Sequence, residues 1–128
     1  MSFLLDTHTL IWWWLNDPSL SRRARDLLAA RSEVVHISAV SAFEIALKVR
    51  AGQLPTMAGP LAQFDEAVRD DSFRHLAVDH DHAIRAGLLE GKHKDPFDRL
   101  LAAQALVEGM TVITRDPQIT GFGCETFW

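Results

Sequence analysis

The chain lacks several features that would assign it to a familiar class of protein. It contains a single cysteine, Cys124, so it can form neither an internal disulfide nor a metal site built from cysteines alone. It has no glycine-rich nucleotide-binding motif, which argues against a Rossmann-type binder. Its N-terminal residues include no basic segment, no small-residue cleavage site and no apolar run of membrane-spanning length. We therefore expect a cytoplasmic protein that does not enter a membrane.

Basic side chains are also scarce relative to acidic ones, and the formal net charge is −4. This argues against a general nucleic-acid-binding surface, because binding to many phosphates needs an excess of positive charge. The objection is only partial. Carboxylates that hold a divalent cation count as negative in the sequence, yet the loaded site presents positive charge to a substrate.

Length and pattern predict one domain of the α/β class. At 128 residues, of which 48% are hydrophobic, the chain can bury one core and has no room for two. No repeat, linker or low-complexity segment divides it, so we predict a single domain over 1–128. Short strand-like stretches alternate with segments of helical periodicity. The alternation predicts a three-layer fold with a central, mainly parallel sheet flanked by helices.

The elements follow from periodicity and from turn signals. The predicted strands cover 3–5, 33–37, 73–78 and 110–114, with a short edge strand in 121–128. The first predicted helix follows Asp6, and the others cover 20–31, 38 or 41 to 50, 61–71, 79–89 and 95–109. The residues between the third and fourth helices, 53–60, are predicted to form a loop.

Segment 93–116 is the most informative part of the chain. Asp95 and Pro96 are typical of a helix start, because Asp accepts hydrogen bonds from free backbone N–H groups and Pro fits the first helical position. Gly109 is a typical helix end. Asp98 lies one turn into this helix and heads an apolar stripe. A buried strand and then Asp116 follow, and we interpret Arg115, Asp116 and Pro117 as a turn.

Four acidic residues occupy positions where active sites of open α/β sheets form. Asp6 and Asp116 each follow a predicted strand, while Glu44 and Asp98 lie early in predicted helices. In a right-handed βαβ arrangement the strand C-termini and the helix N-termini lie along one edge of the sheet. All four carboxylates can meet there.

Each acid also has an ordinary structural explanation. Asp6 fits a helix N-cap, and Asp116 before a proline fits a turn. Ser41 and Glu44 have the spacing of a capping box, and Glu44 with Lys48 has the spacing of a helical ion pair. The functional interpretation depends on the four acids acting together.

A cluster of carboxylates requires protons or a cation. Two of them about 4 Å apart repel each other by roughly 4 kcal/mol at an effective dielectric constant of about 20. Oxygen ligands without a matching set of His or Cys select hard ions, so we expect Mg²⁺ or Mn²⁺ rather than zinc. The six histidines show no recognisable zinc-binding spacing.

Four segments carry a resemblance to a known family: DTH at 6–8, SAFEI at 41–45, HKDPFDRLLAAQA at 93–105 and TVITRD at 111–116. Together they span the chain and resemble the PIN-domain ribonuclease toxins of the VapC type, and the third segment is quite specific. The resemblance implies a PIN fold, a divalent metal, endonucleolytic cleavage of RNA and inhibition by a cognate antitoxin. It also implies a homodimer.

Carried over by position, the resemblance makes Asp6, Glu44, Asp98 and Asp116 the catalytic and metal-binding residues. Asp98 takes the role of the helix acid because it precedes the apolar run of that helix. Asp95 is also present in this subgroup, but capping the helix accounts for it without chemistry. The expected reaction is metal-assisted hydrolysis of a phosphodiester by water, which leaves a 5′-phosphate and a 3′-hydroxyl.

Other residues near the acids are candidates for supporting roles. Thr7 and Thr114 each lie beside a site acid and can orient ligands or water, although ordinary hydrogen bonding at the sheet end is their default role. Lys92, Lys94 and Arg99 are candidates for contacts with RNA phosphates. Arg85, His93 and Arg115 belong to the same group. The alternative for all of them is that they are only solvated.

Two other α/β enzyme or signalling classes fit the motifs less well. A phosphoreceiver domain needs an acidic pair after the first strand and a late lysine, but this chain has Asp6 alone and no lysine beyond Lys94. A haloacid-dehalogenase-type phosphatase needs Asp-x-Asp where this chain has Asp-Thr-His. The remaining non-enzymatic interpretation is an inactive interaction module that keeps the fold.

Three consecutive tryptophans, Trp12 to Trp14, lie in the first predicted helix. Three neighbours on a helix point in directions about 100° apart, so they cannot all face one core. We expect part of this aromatic surface to be exposed or covered by a partner, such as an antitoxin helix or a second copy of the chain. The alternative is that a small domain simply fills its interior with tryptophan.

Overall fold

The computed structural model describes residues 1–128 and contains one five-stranded sheet with all strand pairs parallel, in the order β3-β2-β1-β4-β5. The strands are β1 (Ser2–Leu5), β2 (Val34–Ser38), β3 (Arg74–Leu76), β4 (Thr111–Ile113) and β5 (Thr126–Phe127). The helices are α1 (Thr7–Trp14), α2 (Arg22–Ala30), α3 (Ala39–Arg50), α4 (Ala58–Ala62), α5 (Phe64–Asp70), α6 (His80–Leu88), α7 (Pro96–Glu108) and α8 (Pro117–Gly121).

Apolar helices cover both faces of the sheet, which confirms the three-layer α/β prediction. Side chains of a strand alternate between faces, and in β1 Phe3 and Leu5 belong to one buried cluster while Leu4 belongs to the other. The first cluster is completed by α1, α2 and α5, and the second by α7 and α8. A strand buried on both faces needs a continuous apolar sequence, as β1 has.

The sheet order indicates where a binding cleft can form, between the central strand β1 and its neighbour β4. From β1 the chain proceeds outward through β2 and β3 on one side, and β4 and β5 lie on the other side. The carboxyl ends of β1 and β4 are adjacent, because Leu5 is in register with Ile113 and the Asp6 amide donates a 3.2 Å hydrogen bond to the Ile113 carbonyl. Ligands of open α/β sheets bind at such a switch point.

The predicted strands are all present, but three regions differ from the prediction. The predicted helix over 61–71 is interrupted because Gln63 adopts φ −122° and ψ 38°, which separates α4 from α5. The predicted loop over 53–60 contains a 3₁₀ turn (Pro55–Met57) and the start of α4. After β4, the predicted turn is instead the start of α8, with Asp116 as its N-cap and Pro117 at its first position.

The three tryptophans are only partly exposed, and much of their cover comes from the chain itself. Trp12, Trp13 and Trp14 are half-buried and pack against the first apolar cluster. The indole N–H groups of Trp13 and Trp14 both donate to Asp71 Oδ2, at 3.1 and 2.8 Å, and the Trp12 ring meets the edge of Trp128 at 5.9 Å. The chain covers its own tryptophans. No helix has both the length and the apolar character needed to cross a membrane.

Candidate functional site

Asp6 is buried at the end of β1 and is held by the end of β4. Its side chain makes no capping hydrogen bond to α1, so the N-cap explanation does not account for its carboxylate. Instead, Thr114 Oγ1 donates a 2.7 Å hydrogen bond to Asp6 Oδ2. The Asp116 amide donates to the same Thr114 hydroxyl at 3.0 Å. Thr114 therefore fixes Asp6 and the backbone of Asp116 relative to each other.

Glu44 is brought to this edge by α3. The helix starts at Ala39 with Ser38 as its N-cap, so the predicted capping box of Ser41 and Glu44 is wrong. Ser41 Oγ instead shares a buried 2.9 Å hydrogen bond with Thr7 Oγ1, which ties α3 to the start of α1. Lys48 Nζ lies 3.1 Å from Glu44 Oε2, which confirms the expected ion pair. Glu44 is 8% exposed, and its charge is one of the causes that raise the pKa of Asp6, so the two carboxylates lie near each other.

The two acids at the start of α7, Asp95 and Asp98, make different contacts. Asp95 Oδ1 accepts from the amides of Phe97 and Asp98, at 2.9 and 3.1 Å, which confirms its role as the N-cap. Asp98 caps nothing. Its Oδ2 accepts a 2.7 Å hydrogen bond from His93 Nε2, which fixes one carboxylate oxygen and leaves the other free. Asp116 both caps α8, accepting from the Gln118 amide at 2.9 Å, and lies at the mouth of the site.

The pKa directions of Asp6 and Asp98 indicate that the carboxylates of this edge lie within electrostatic reach of one another. Burial raises the pKa of Asp6 above its ordinary 3.8; the Thr114 hydrogen bond and His8 oppose this shift, and the charges of Asp116 and Glu44 add to it. Burial likewise raises the pKa of Asp98, against the His93 hydrogen bond, and the charges of Asp95, Asp6 and Asp116 raise it further. Burial and like charges at this edge thus both add to the cost of ionising Asp6 and Asp98, and a bound cation would offset that cost.

The acidic site, defined as Asp6, Glu44, Asp98 and Asp116, fits a hard divalent cation in charge and donor type. Its donors are all carboxylate oxygens, and only Glu44 is paired with a lysine or arginine. No three of its carboxylates have ligand atoms within 4.8 Å of one another. A spacing wider than a closed coordination shell is expected of carboxylates that repel each other.

A second group of ligand-type residues is more compact but is structural. Asp79, His82 and Glu108 have ligand atoms within 4.8 Å of one another. Both ring nitrogens of the buried His82 are already used, because Nδ1 accepts from the Asp79 amide at 3.1 Å and Nε2 donates to Glu108 Oε1 at 3.0 Å. Asp79 also caps α6. No ring nitrogen is left for a metal, and the trio ties α6 to the end of α7.

The basic residues near the site fall into two groups. Lys92 and Lys94 are exposed and make no ion pair or hydrogen bond. Arg99 is different, because its guanidinium donates to the backbone carbonyls of Ala86, Gly87, Leu89 and His93. Arg99 thus holds the loop between α6 and α7. His93, also a candidate for a phosphate contact, is bound to Asp98 instead.

A cleft of about 420 Å³ opens beside the acidic site. We call it the Trp12 pocket, and it is lined by Asp6, His8, Trp12, Arg115, Asp116 and Pro117. Sequence patterns did not suggest His8 as a functional residue, and they suggested Trp12 only as part of a surface for a protein partner. The spacing of His8 and Trp12, one helical turn apart on α1 directly after Asp6, is the signal that could have indicated them.

The model of the PIN domain family matches residues 3–122. The chain belongs to the PIN domain family. This PIN domain has the fold of chains in solved toxin–antitoxin complexes. It aligns with DNA-bound VapBC from Salmonella typhimurium at 21% identity and TM-score 0.74, covering 99% of this chain and 97% of the other. It aligns with VapBC2 from Rickettsia felis, bound to a promoter DNA fragment, at 15% identity and TM-score 0.73, covering 99% and 98%.

A third similar structure is FitAcB from Neisseria gonorrhoeae, at 23% identity and TM-score 0.64, covering 98% of this chain and 96% of the other. No curated protein matches the sequence of this PIN domain. Membership of the family confirms the resemblance carried by the four sequence segments, and it rules out the phosphoreceiver and phosphatase alternatives.

Proposed function

We propose that this PIN domain is the toxin of a type II toxin–antitoxin system and acts as an Mg²⁺- or Mn²⁺-dependent endoribonuclease. The observation that carries the proposal is the meeting of Asp6 and Asp116 at the switch point of the sheet, with Glu44 and Asp98 in the same electrostatic environment. A carboxylate cluster at this position has the donors and the charge for a divalent cation.

The acidic site would bind the ion, and neighbouring side chains orient its carboxylates. Asp6, Glu44, Asp98 and Asp116 would hold the ion. When bound, a divalent cation supplies Lewis-acid activation of water and of the phosphodiester. Thr114 fixes the orientation of Asp6, and His93 fixes that of Asp98. Thr7 positions Glu44 indirectly, since the Thr7 hydroxyl forms a hydrogen bond with Ser41 of α3, the helix that carries Glu44.

Water serves as the nucleophile in this proposal, and the ribose 2′-hydroxyl takes no part. The products are therefore a 5′-phosphate and a 3′-hydroxyl. Lys92 and Lys94 contact flanking phosphates, because both are exposed and free of partners near the start of α7. We do not assign Arg99 to that role, since its donors bind four backbone carbonyls. An RNA substrate places the activity in the cytoplasm.

The experiment that tests this proposal uses the purified chain and a long single-stranded RNA. With Mg²⁺ or Mn²⁺ we expect internal cleavage that EDTA stops. The new 5′ ends should be substrates for a 5′-phosphate-dependent exonuclease. Products with 2′,3′-cyclic phosphates would contradict hydrolysis by water. Absence of cleavage with any RNA, together with no metal-induced stabilisation, would favour the inactive interaction module.

Two protein partners complete the proposal: a cognate antitoxin and a second copy of the chain. Similar solved structures include VapBC complexes and a toxin–antitoxin complex from Klebsiella pneumoniae, which supports an antitoxin partner. A second copy fits an apolar cleft of about 370 Å³ formed by α3, Val78 and the start of α7. Phe43 at its rim is 58% exposed and Val78 is 38% exposed, so the cleft leaves apolar surface open to a partner.

The mass of the chain in solution tests the second copy. The wild-type chain should sediment as a dimer, and Phe43→Glu should shift it to the monomer because a charge would enter the apolar contact. Ile84→Glu is the matched control, since Ile84 is equally exposed at 58% but does not line this cleft. A wild-type chain that stays monomeric at high concentration would contradict the homodimer.

A further inference from the structure

The Trp12 pocket contains an arginine whose N–H donors have no partner within the chain. Arg115 is exposed and makes no hydrogen bond or ion pair, although it directly precedes Asp116. Its Cζ lies 4.4 Å from the centre of the Trp12 ring, a cation–π contact that holds the guanidinium at the wall of the pocket. In contrast to Arg99, all of its N–H donors are available to a ligand.

The aromatic support beneath this arginine is fixed in position. Trp12 is half-buried, and its ring packs against the edge of Trp128 at 5.9 Å. On the side toward Asp6, the exposed His8 ring lies 5.8 Å from the Trp12 ring at an angle of 45°. The pocket therefore combines two aromatic rings and one guanidinium plane with two acids of the site proposed to bind the ion.

This combination matches the chemistry of an unpaired nucleotide. Proteins that bind single-stranded RNA stack its bases on aromatic rings and on arginine planes, and arginine also binds phosphate oxygens. A base in a duplex is stacked inside the helix and cannot lie on a side chain. The volume of about 420 Å³ and the single apolar lining residue suit a polar, flat ligand better than a hydrophobic one.

We propose that the Trp12 pocket binds the nucleotide next to the scissile phosphate of a single-stranded RNA. Its base stacks on the Arg115 guanidinium, which Trp12 supports from below, and His8 forms the side wall. Arg115 donors reach a phosphate oxygen of the same nucleotide. The inference rests on the proposed nuclease function, and it adds where the nucleotide beside the cut site lies and which side chains hold it.

Arg115→Gln tests the proposal, because Arg115 is exposed and its loss leaves the core intact. The probe is a dye-labelled eight-nucleotide single-stranded RNA, titrated in Ca²⁺ so that the acids are neutralised, with a gel to confirm that the RNA stays intact. Base stacking on a protein side chain contributes about 1–3 kcal/mol, so Arg115→Gln should raise Kd roughly tenfold. In Mg²⁺ the same variant should raise KM by a similar factor and change kcat less.

Arg23→Gln is the matched control. Arg23 also lies over an aromatic ring, with Cζ 4.7 Å from the Phe127 centre, but it does not line the Trp12 pocket. It should change Kd less than about twofold, since it removes the same charge elsewhere on the surface. Arg115→Lys should recover only part of the affinity, because an ammonium keeps the charge and loses the plane.

Three results would overturn the proposal: an unchanged Kd for Arg115→Gln, an equal loss for Arg23→Gln, or equally tight binding of the same RNA as a duplex. Failure of the nuclease function is distinguishable. A wild-type chain that binds the RNA through Arg115 but never cleaves it would refute the nuclease and leave the pocket assignment standing. Normal cleavage and binding by Arg115→Gln would refute the pocket alone.

Discussion

Thr114 donates a 2.7 Å hydrogen bond to the buried carboxylate of Asp6, across the switch point between β4 and β1. The same hydroxyl accepts from the Asp116 amide at 3.0 Å. In addition to the pairing of β1 with β4, this side chain thus links two acids that are 110 residues apart in sequence number, from 6 to 116. The site depends on this bond because neither acid is fixed to the other by local structure.

Replacing Thr114 with Val removes the hydroxyl and keeps the shape. Asp6 then loses the hydrogen bond that lowers its pKa, and a buried acceptor is left unpaired. We expect the free energy of unfolding to fall by about 1–3 kcal/mol. The Mg²⁺ concentration for half-maximal cleavage should rise, because Asp6 binds protons more tightly. Urea denaturation and metal titration measure the two effects, and Thr114→Ser, which keeps the hydroxyl, should behave like the wild type.

Asp6→Asn should stabilise the metal-free chain at neutral pH. The unfolded chain ionises Asp6 near 3.8, whereas burial raises the pKa in the folded chain. Between these two values the folded state holds a proton that the unfolded state has lost, so the free energy of unfolding falls as the pH rises. The penalty is complete above the folded pKa. The variant should therefore be more stable than the wild type at pH 7, and the difference should disappear below pH 3.8.

A divalent cation should reverse the order of stability, so that the wild type becomes more stable than Asp6→Asn. An ion that binds only the folded state stabilises it in proportion to its occupancy. Mg²⁺ should raise the Tm of the wild type and leave that of Asp6→Asn nearly unchanged. Equal shifts in both proteins would mean that the ion binds elsewhere. A variant less stable than the wild type at pH 7 without cation would contradict the electrostatic account of Asp6.

Arg99 and Lys94 differ in their contacts, although they are close in sequence. Arg99→Ala removes the donor to four backbone carbonyls, and we expect a loss of about 1–2 kcal/mol in the free energy of unfolding. Lys94→Ala should leave stability unchanged and weaken RNA binding in a salt-dependent manner. Urea denaturation and RNA titration at two salt concentrations separate the roles. If Arg99→Ala instead weakened RNA binding and left stability unchanged, Arg99 would be a phosphate contact.

The sequence was sufficient to predict the sheet and its acidic edge. β1 and β4 are short apolar runs buried on both faces, and such runs are recognisable without tertiary information. Since acids that follow parallel strands lie at one edge, Asp6 and Asp116 could be placed together. The helix start at Asp95 was recognisable because Asp-Pro is a local signal.

Contacts between distant segments were not predictable in the same way. The Ser41 hydroxyl was assigned to a local capping box, but Thr7, 34 residues away, is its partner. The three tryptophans could not be placed because their cover comes from Asp71 and Trp128, at other points in the chain. Arg99 has the sequence context of a phosphate ligand, and only the path of the loop before α7 shows that its donors are engaged.

The most direct test of the proposed nuclease site compares two changes on α7, Asp98→Asn and Asp95→Asn, by RNA cleavage in Mg²⁺. Both remove one negative charge near the helix start. Asn caps a helix about as well as Asp, so Asp95→Asn should keep the fold and the activity. Asp98→Asn should abolish Mg²⁺-dependent cleavage in a protein that remains folded. Cleavage by Asp98→Asn at the wild-type rate would contradict the site described here.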